Sequence, residues 1–401
     1  MRSIPALAGL LVLATTTFAG PTVADFIRRH WAAPIPPQGP PPAGWSAGES
    51  SLAPEACGSC HPTQYGDWRA SVHAASMGPG VAGQLAEMLE TDPNTALSCQ
   101  TCHAPLAEQR PLMGSPTGLI PNPDFDPALR DRGLVCAGCH VRAHQRFGPP
   151  RRDGSLASAP GVPHGGATRA RAFLSSEFCR GCHQFTPDGL SLNGKLLENT
   201  YEEWRASAFA RKGVHCQDCH MPDRRHLWRG IHDRDMVSSG VTIDVTPTAR
   251  RYRVGEAFTL TLTLRNTRVG HAFPTYVVPR IVLRGELLDE SDAPMAGSRR
   301  ETVIAREVTL DLARETSDTR LLPGRAATLV LRGRVDRPGV RARLSVIVEP
   351  DAFYTRFFET LLAQGAGRGE SRIREALENT RRSPFTLFVR DVQLGGAEPP
   401  K

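Results

Sequence analysis

A five-residue pattern, Cys-x-x-Cys-His, occurs five times between residues 57 and 220 and constrains this chain more than any other feature. The five copies use all 10 cysteines of the sequence. They recur about every 40 residues, so little polypeptide is left to build an ordinary apolar core around each copy. The cysteines are Cys57, Cys60, Cys99, Cys102, Cys136, Cys139, Cys179, Cys182, Cys216 and Cys219, and the histidines are His61, His103, His140, His183 and His220.

This pattern is the attachment signature of a c-type haem, in which two thiols form thioethers to the porphyrin and the following histidine binds the iron. Zinc sites combine two such clusters to reach four ligands, and five clusters pair badly. A thioredoxin-like redox motif does not require the histidine, and a disulfide framework has less regular spacings. The sequence therefore predicts five covalently bound haem c groups, whose porphyrins supply much of the buried apolar surface.

Length and charge add only broad limits. The 401 residues are enough for two domains, and the motifs occupy less than half of them. The net charge of +7 is weak evidence about partners, because haem propionates offset it and arginine binds such carboxylates well. No basic patch interleaved with aromatic residues stands out, so we expect no nucleic-acid partner.

The N-terminus has the composition of an export signal. Residues 1–24 begin with one arginine and continue uncharged through an apolar centre, which predicts a cleaved signal peptide. An uncleaved N-terminal anchor, with membrane association, is the alternative. Either way the protein is expected in the periplasm or at the cell surface. Residues 25–50 are rich in proline towards their end and are interpreted as an extended tether.

An internal repeat follows the first motif. The segment YGDWRASVHA at residues 65–74 recurs as YEEWRASAFA at residues 201–210, and each copy is predicted to be a helix. Its Tyr and Trp are expected to pack against porphyrin. His73 corresponds to Phe209 in the second copy, so this position faces an apolar surface. There His73 is either a core histidine or the sixth ligand of an iron.

The stretches CGSCHPTQYGDWRASVHAAS at residues 57–76 and CQDCHMP at residues 216–222 resemble the multihaem c-type cytochromes. Within them the chain looks most like the group that contains the tetrahaem electron-transfer cytochromes of ammonia oxidisers and hydroxylamine oxidoreductase. In that group Trp-x-x-Ser-x-His commonly provides a distal ligand, which the resemblance places on Trp68, Ser71 and His73. The resemblance covers roughly residues 55–235.

Distal iron ligands must come from the histidines outside the motifs. The sequence has 13 histidines, of which five are proximal and eight remain. His232 lies 12 residues after His220, the same interval that separates His61 from His73. We rank His73, His232 and His271 first, then His226 and His164, with His144 in reserve.

The pattern of apolar and polar residues changes at Val241. The stretch AFTLTLTL at residues 257–264 alternates strictly, and similar runs occupy residues 241–245, 280–288, 303–312, 327–335, 341–348 and 385–394. This spacing predicts an immunoglobulin-like antiparallel β-sandwich over residues 241–395, with a helical segment at residues 351–380. The fold class is therefore α+β and multidomain, with a helical, loop-rich pentahaem domain over residues 51–240.

His271 lies where the strand pattern breaks, between Gly270 and Pro274. Similar Gly-His-x-Phe-Pro-Thr segments downstream of haem domains in multihaem cytochromes look like ligands that reach back to the haems. The resemblance thus implies that the sandwich contributes His271 to the haem array.

Three functions fit these observations. The first is electron transfer by a pentahaem cytochrome with mostly bis-histidine irons and no catalytic residue. The second is reduction of a nitrogen or sulfur oxyanion at one haem with an open coordination position, which would make the chain an oxidoreductase. The third is a structural haem subunit of a membrane redox complex. Expected partners are redox proteins: a quinol oxidase, or soluble or outer-membrane cytochromes.

Overall fold

The computed structural model of the protein describes residues 22–157, 162–247 and 252–395. Most of the segment interpreted as a signal peptide lies outside these residues. Within them, short helices dominate up to residue 240 and antiparallel sheets dominate afterwards, so the fold is α+β as predicted. None of the helices in these three ranges combines the length and apolarity that a bilayer crossing requires.

The helices before residue 240 are short, and every Cys-x-x-Cys-His motif begins within or at the end of one. Four of the motifs finish at the last residue of their helix, and the first begins in one helix and ends just before the next. The helices are α1 (Val23–His30), α2 (Ala47–Ser50), α3 (Pro54–Gly58), α4 (Pro62–Arg69), α5 (Pro79–Thr91), α6 (Pro93–His103), α7 (Cys136–His140), α8 (Glu177–His183), α9 (Thr200–Arg205), α10 (Ala208–Arg211), α11 (Cys216–His220) and α12 (Arg234–Gly240).

The two repeat helices are shorter than predicted, because a serine interrupts each of them. The Ser71 hydroxyl donates to the carbonyl of Trp68 at 2.7 Å, and α4 ends at Arg69. In the second copy, the Ser207 hydroxyl caps a new helix, α10, after α9 has ended. Serine competes in this way for main-chain partners that a continuing helix needs. His73 therefore lies in a turn rather than on a helix.

Residues 25–50, interpreted as an extended tether, pack in part against the rest of the chain. Helix α1 packs beside α8, and His30 at its end is only 3% exposed. Further along, Ile35 is 3% exposed and forms a parallel bridge with Leu106. Most of the prolines in this segment are exposed, so it contacts the motif region at a few buried side chains rather than along its whole length.

Small strand pairs lie between the motif helices, and two larger antiparallel sheets follow Val241. The four-stranded sheet has the order β11-β10-β15-β16 and the three-stranded sheet has the order β14-β9-β8. The strands are β1 (Leu112–Ser115), β2 (Gly118–Pro121), β3 (Val141–Arg142), β4 (Gln145–Gly148), β5 (Thr168–Arg169), β6 (Ser191–Leu192), β7 (Lys195–Leu196), β8 (Val241–Thr246), β9 (Ala257–Asn266), β10 (Arg280–Leu288), β11 (Arg300–Ile304), β12 (Arg306–Val308), β13 (Glu315–Asp318), β14 (Ala326–Arg334), β15 (Arg341–Glu349) and β16 (Phe385–Gln393).

The two large sheets share one apolar core. In the first, Leu262 of β9 lies opposite Leu329 of β14, and in the second Leu283 of β10 lies opposite Val346 of β15. All four side chains belong to a single buried cluster. The strict alternation in β9 therefore points every second side chain into this core, as the sequence predicted.

One predicted strand, residues 303–312, is divided. Strand β11 ends at Ile304, and after Ala305 the chain continues as β12, which pairs with β13 instead of β10. The Thr319 hydroxyl accepts from the Ala305 N–H at 3.0 Å and donates to the Val303 carbonyl at 2.8 Å. Thr319 thereby holds the chain at the point where it leaves one sheet for another. The helices α13 (Ala352–Gln364) and α14 (Glu370–Arg382) lie between β15 and β16 in the chain.

Arg306 joins the sheet region to the motif region. Its side chain is 1% exposed and its guanidinium donates to the carboxylate of Glu315 at 2.8 Å. The same guanidinium donates to the carbonyls of Leu192, Lys195 and Leu196 in the β6-β7 hairpin. A fully bonded, buried arginine thus fixes the hairpin against β12 and β13.

We predict that Leu344→Ala lowers the free energy of unfolding by about 2–5 kcal/mol, because it removes a fully buried side chain from the shared core. Leu322→Ala is the matched control, since Leu322 is 53% exposed and its truncation is expected to change stability by less than about 0.5 kcal/mol. Denaturant unfolding followed by circular dichroism measures both. Equal losses in the two variants would contradict the shared core.

Candidate functional site

The thiols of different motifs approach one another. Hydrogen-bonding contacts join Cys57 to Cys136, Cys102 to Cys182, and Cys179 to Cys216. The hydrogen bond with Cys136 lowers the pKa of the Cys57 thiol to about 7, and the same contact together with burial raises that of Cys136. The first motif therefore lies beside the third, the second beside the fourth, and the fourth beside the fifth.

Three motif histidines each face a histidine from elsewhere in the chain. The ring centres are 6.2 Å apart for His73 and His183, 6.1 Å for His140 and His226, and 6.4 Å for His220 and His271. Two imidazoles bound to opposite sides of one metal ion have ring centres roughly 6.3 Å apart, because each metal–nitrogen bond is about 2.0–2.1 Å long. All three pairs have the separation that a shared iron requires.

In four of these six rings, and in His103, the hydrogen bond involves Nδ1 and leaves Nε2 available to bind a metal. A carbonyl oxygen only accepts, so a ring nitrogen that contacts one carries the proton. Nδ1–H donates in this way at 2.7–3.1 Å in five histidines, and this contact also fixes the ring orientation, as is usual for metal-binding imidazoles. The pairs are His103 with Ser76, His140 with Phe147, His220 with Arg229, His226 with Arg224, and His271 with Ala272.

Burial keeps the facing imidazoles neutral, which is the protonation state that binds a metal. Desolvation lowers the pKa of His73 to about 3 and those of His140 and His271 to about 4. Neighbouring imidazoles lower them further. In addition, Nδ1 of His73 is buried and has no hydrogen-bond partner.

The other three predicted distal ligands differ in their surroundings. His164 donates its Nδ1–H to the Gly166 carbonyl at 3.0 Å and its main-chain N–H to Glu49 at 2.9 Å, so its Nε2 is available. His232 is instead 45% exposed, and its Nε2 contacts the carboxylate of Asp351 at 3.0 Å. The Nε2–H of His144 donates to the carbonyl of Gly39 at 2.8 Å. Of these three, only His164 has a free Nε2.

The residues present fit c-type haem. Each motif supplies two thiols and an imidazole, and three of the five imidazoles have a second imidazole at the separation that a six-coordinate iron needs. Among the described residues, no group of three or more His, Cys, Asp or Glu side chains is arranged to hold a bare metal ion. The donor set therefore matches a porphyrin-bound iron better than a structural zinc.

The first and second motifs have different surroundings from the other three. In the described part of the chain, no ring contact joins His61 or His103 to another imidazole. Glu198 and the Arg110 guanidinium lie close to Cys102, and Tyr354 lies close to Cys99. Burial raises the pKa of Glu198 to about 7, and Tyr276 beside it is also deeply enclosed. Sequence reasoning missed these side chains, because nothing near them in the chain distinguishes them from structural residues.

One carboxylate that the sequence reasoning also missed holds the segment that carries His226. Asp67 accepts from Nε and Nη2 of Arg225 at 2.7 and 2.6 Å and from the His226 N–H at 3.0 Å. The side chain of Asp67 is 7% exposed. The partners of Asp67 lie far away in the sequence, so no local pattern indicates that this carboxylate holds the His226 segment.

Comparison with known proteins gives three results. The family described as "Cytochrome c554 and c-prime" matches residues 56–118. A curated relative, cytochrome c-552 of Aliarcobacter butzleri (strain RM4018), is 33% identical over 95 residues, which is 23% of this chain but only 18% of that protein. A crystal structure of a penta-haem cytochrome c552 from Thermochromatium tepidum superposes with a TM-score of 0.54 at 18% identity, covering 85% of this chain and 98% of the other. At that identity, the superposition is evidence about fold alone.

We predict that Asp67→Asn lowers the thermal stability of the holo-protein at neutral pH, by about 1–2 kcal/mol, since Arg225 is half exposed. Hydrogen bonds from Arg225 hold the pKa of Asp67 below its usual value of 3.8. Its stabilisation is therefore complete above about pH 4 and is lost as the pH falls through the lower, folded value.

Thermal unfolding midpoints between about pH 6 and about pH 3 test this prediction, because Asp67→Asn removes part of the acid-induced loss. Asp223→Asn is the control, as its ion pair with Arg152 is largely exposed and is expected to contribute little. Parallel curves for the wild type and Asp67→Asn would contradict the role of this carboxylate.

Proposed function

This chain is a multihaem c-type cytochrome that binds haem c covalently, and we propose that it transfers electrons through five haems. The observation that carries the proposal is the set of three facing imidazole pairs, with ring centres 6.1–6.4 Å apart. An iron held between two histidines has no position left for a substrate, so it serves electron transfer rather than catalysis. The five cysteine pairs attach the haems, and His61, His103, His140, His183 and His220 are the proximal ligands.

The same geometry supports an assignment for three of the distal ligands. We assign His73 to the fourth haem, His226 to the third and His271 to the fifth. His164 is assigned to the first, because Glu49 and Arg146 connect it to the surroundings of Cys57. His232 and His144 are not assigned, since their Nε2 atoms are occupied by Asp351 and Gly39.

The contacts between motif thiols support one electron path. They place the first motif beside the third, the fourth beside the fifth, and the second beside the fourth. Cys139 of the third motif also lies close to Cys179 and Cys182 of the fourth. Haem iron supplies the one-electron chemistry, and the chain fixes the spacing and the iron ligands. The path therefore runs from the first motif through the third and fourth to the fifth, with the second as a branch.

The rest of the chain is interpreted in keeping with this role. We propose that residues 51–240 form the haem domain, and that residues 241–395 form an immunoglobulin-like sandwich that contributes His271. We further propose that the protein is exported to the periplasm or cell surface, where c-type haems are attached. Its partners would then be redox proteins such as a quinol oxidase or another cytochrome, either as a free carrier or as a subunit of a membrane complex.

His271→Ala is predicted to convert one haem of the oxidised holo-protein from low-spin to high-spin, because it removes one of two axial imidazoles. Electron paramagnetic resonance measures the change. His232→Ala is the matched control, since His232 follows the same motif but is exposed and paired with Asp351. An unchanged spectrum in His271→Ala, or the same change in the control, would contradict the ligand assignment.

A second candidate function is reduction of a nitrogen or sulfur oxyanion at the second haem. His103 has no facing imidazole among the described residues, so its iron would keep an open position. Arg110 is 8% exposed, and its Nε is buried without a partner. Burial raises the pKa of Glu198 to about 7, so its carboxyl, which lies near Cys102, can donate a proton. A cation and such a carboxyl beside an open iron would suit an anion that takes up protons when it is reduced.

This candidate predicts one high-spin haem in the wild-type protein, and added azide or cyanide is expected to convert only that signal. Glu198→Gln is expected to change the pH dependence of this binding without changing the low-spin signals, because its carboxyl has a pKa near 7. Glu202→Gln, at a partly exposed carboxylate on α9 that pairs with Arg205, is the control. Five low-spin signals that azide and cyanide leave unchanged would exclude this function and leave electron transfer alone.

A further inference from the structure

The loop that carries His271 lies between the two regions of the chain. It leaves β9 at Asn266 and packs against the motif region at Gly270, where an added Cβ would lie 3.4 Å from Trp204 and 3.5 Å from Phe209. Both aromatic residues belong to the second copy of the internal repeat. The position of His271 therefore depends on how the sheets meet α9 and α10.

The sheet region holds this loop through Asn266, which is fully buried. Its side-chain amide donates to the carbonyl of His271 at 3.1 Å and to that of Leu321 at 2.9 Å. Its side-chain oxygen accepts from the Val269 N–H at 3.1 Å. These bonds fix the beginning of the loop on its own sheet, and main-chain hydrogen bonds between Phe273 and Leu321, each at 2.9 Å, hold the loop again after Ala272.

The motif region holds the other side of the loop through Glu203 of α9. One carboxylate oxygen accepts from the Ala272 N–H at 3.1 Å and from the Thr275 hydroxyl at 3.3 Å. The other accepts from the Arg320 guanidinium at 2.9 Å, and Arg320 also donates to the Thr275 carbonyl at 2.5 Å. The Glu203 and Arg320 side chains are only 9% and 8% exposed. The carboxylate is therefore a buried acceptor that is fixed on both oxygens.

Ala272 connects this carboxylate to the imidazole. Its N–H binds Glu203, and its carbonyl accepts Nδ1–H of His271 at 2.9 Å. The orientation of Ala272 thus influences the orientation of the His271 ring, whose centre lies 6.4 Å from that of His220. A carboxylate that fixes such a carbonyl acts on the imidazole without touching it.

We propose that Glu203 is a positioning residue through which the motif region orients His271 as an axial ligand of the fifth haem. The proposal rests on the proposed function, because it takes ligation by His271 as given. In this proposal, the buried ion pair between Glu203 and Arg320 aligns His271, which comes from the sheet region, with a haem that is attached to the motif region. Arg320 is itself held by Asp318, which in turn binds Lys195 of the motif region at 2.6 Å.

The test compares Glu203→Ala and Glu203→Gln in the full-length, haem-loaded protein. The alanine variant loses the acceptor for the Ala272 N–H, so we expect a high-spin fraction at the haem that His271→Ala identifies, and a shifted midpoint potential. The glutamine variant keeps an acceptor oxygen and is expected to restore the low-spin state while still shifting the potential, since the charge that pairs with Arg320 is gone. Glu202→Gln on the same helix is the control and is expected to change neither.

Electron paramagnetic resonance and potentiometric titration distinguish the outcomes. If His271→Ala becomes high-spin while both Glu203 variants keep wild-type signals and potentials, the positioning role is overturned and the ligand assignment survives. If His271→Ala leaves the spectrum unchanged, the ligand assignment itself is wrong. If Glu203→Ala cannot be recovered with its haems, Glu203→Gln decides alone through its electron paramagnetic resonance signals, because the lost charge shifts the potential whether or not Glu203 positions His271. Changed g-values at that one haem support the proposal, and unchanged g-values refute it.

Discussion

Facing imidazoles are the constraint on which the rest of this structure depends. Each pair joins segments that are distant in the sequence: residue 73 meets 183, residue 140 meets 226, and residue 220 meets 271. The motif region has little else to bring these segments together, because its helices are short and one of its apolar clusters consists of six buried side chains. Under the proposed function, haem attachment and iron ligation would take the place of a continuous apolar core.

The sheet region, unlike the motif region, is built around an apolar core of its own. Its two sheets share a large apolar core, and this core holds the start of the His271 loop in place. Buried charged groups complete the contact between the regions: Arg306 binds the β6-β7 hairpin, and Arg320 pairs with Glu203. Such pairs contribute little net stability but are costly to break, so they favour one alignment of the two regions over others. That alignment is what a ligand shared between regions requires.

Much of this organisation could be predicted from short-range patterns. Cys-x-x-Cys-His specifies its chemistry within five residues, and the resemblance to multihaem c-type cytochromes that it suggested is confirmed by the comparisons. Alternation in residues 257–264 predicted β9, and the break around His271 predicted an irregular loop. The 12-residue interval favoured His232, whose Nε2 lies 3.0 Å from the carboxylate of Asp351 in the structure.

Features that depend on distant partners were not predictable. Nothing in the sequence around Asp67 or Glu203 shows that each is buried against residues far along the chain. Ser71 and Ser207 are compatible with a continuous helix by sequence alone. Their hydroxyls bind the main chain instead, and the repeat helices are interrupted there. The packing of residues 25–50 likewise depends on surfaces formed much later in the chain.

The most direct test of the central claim is diffraction from crystals of the holo-protein at the iron absorption edge, which locates each iron independently of the protein model. The account predicts five irons per chain, with three of them midway between His73 and His183, His140 and His226, and His220 and His271. An iron-free gap between any of these three pairs would contradict it.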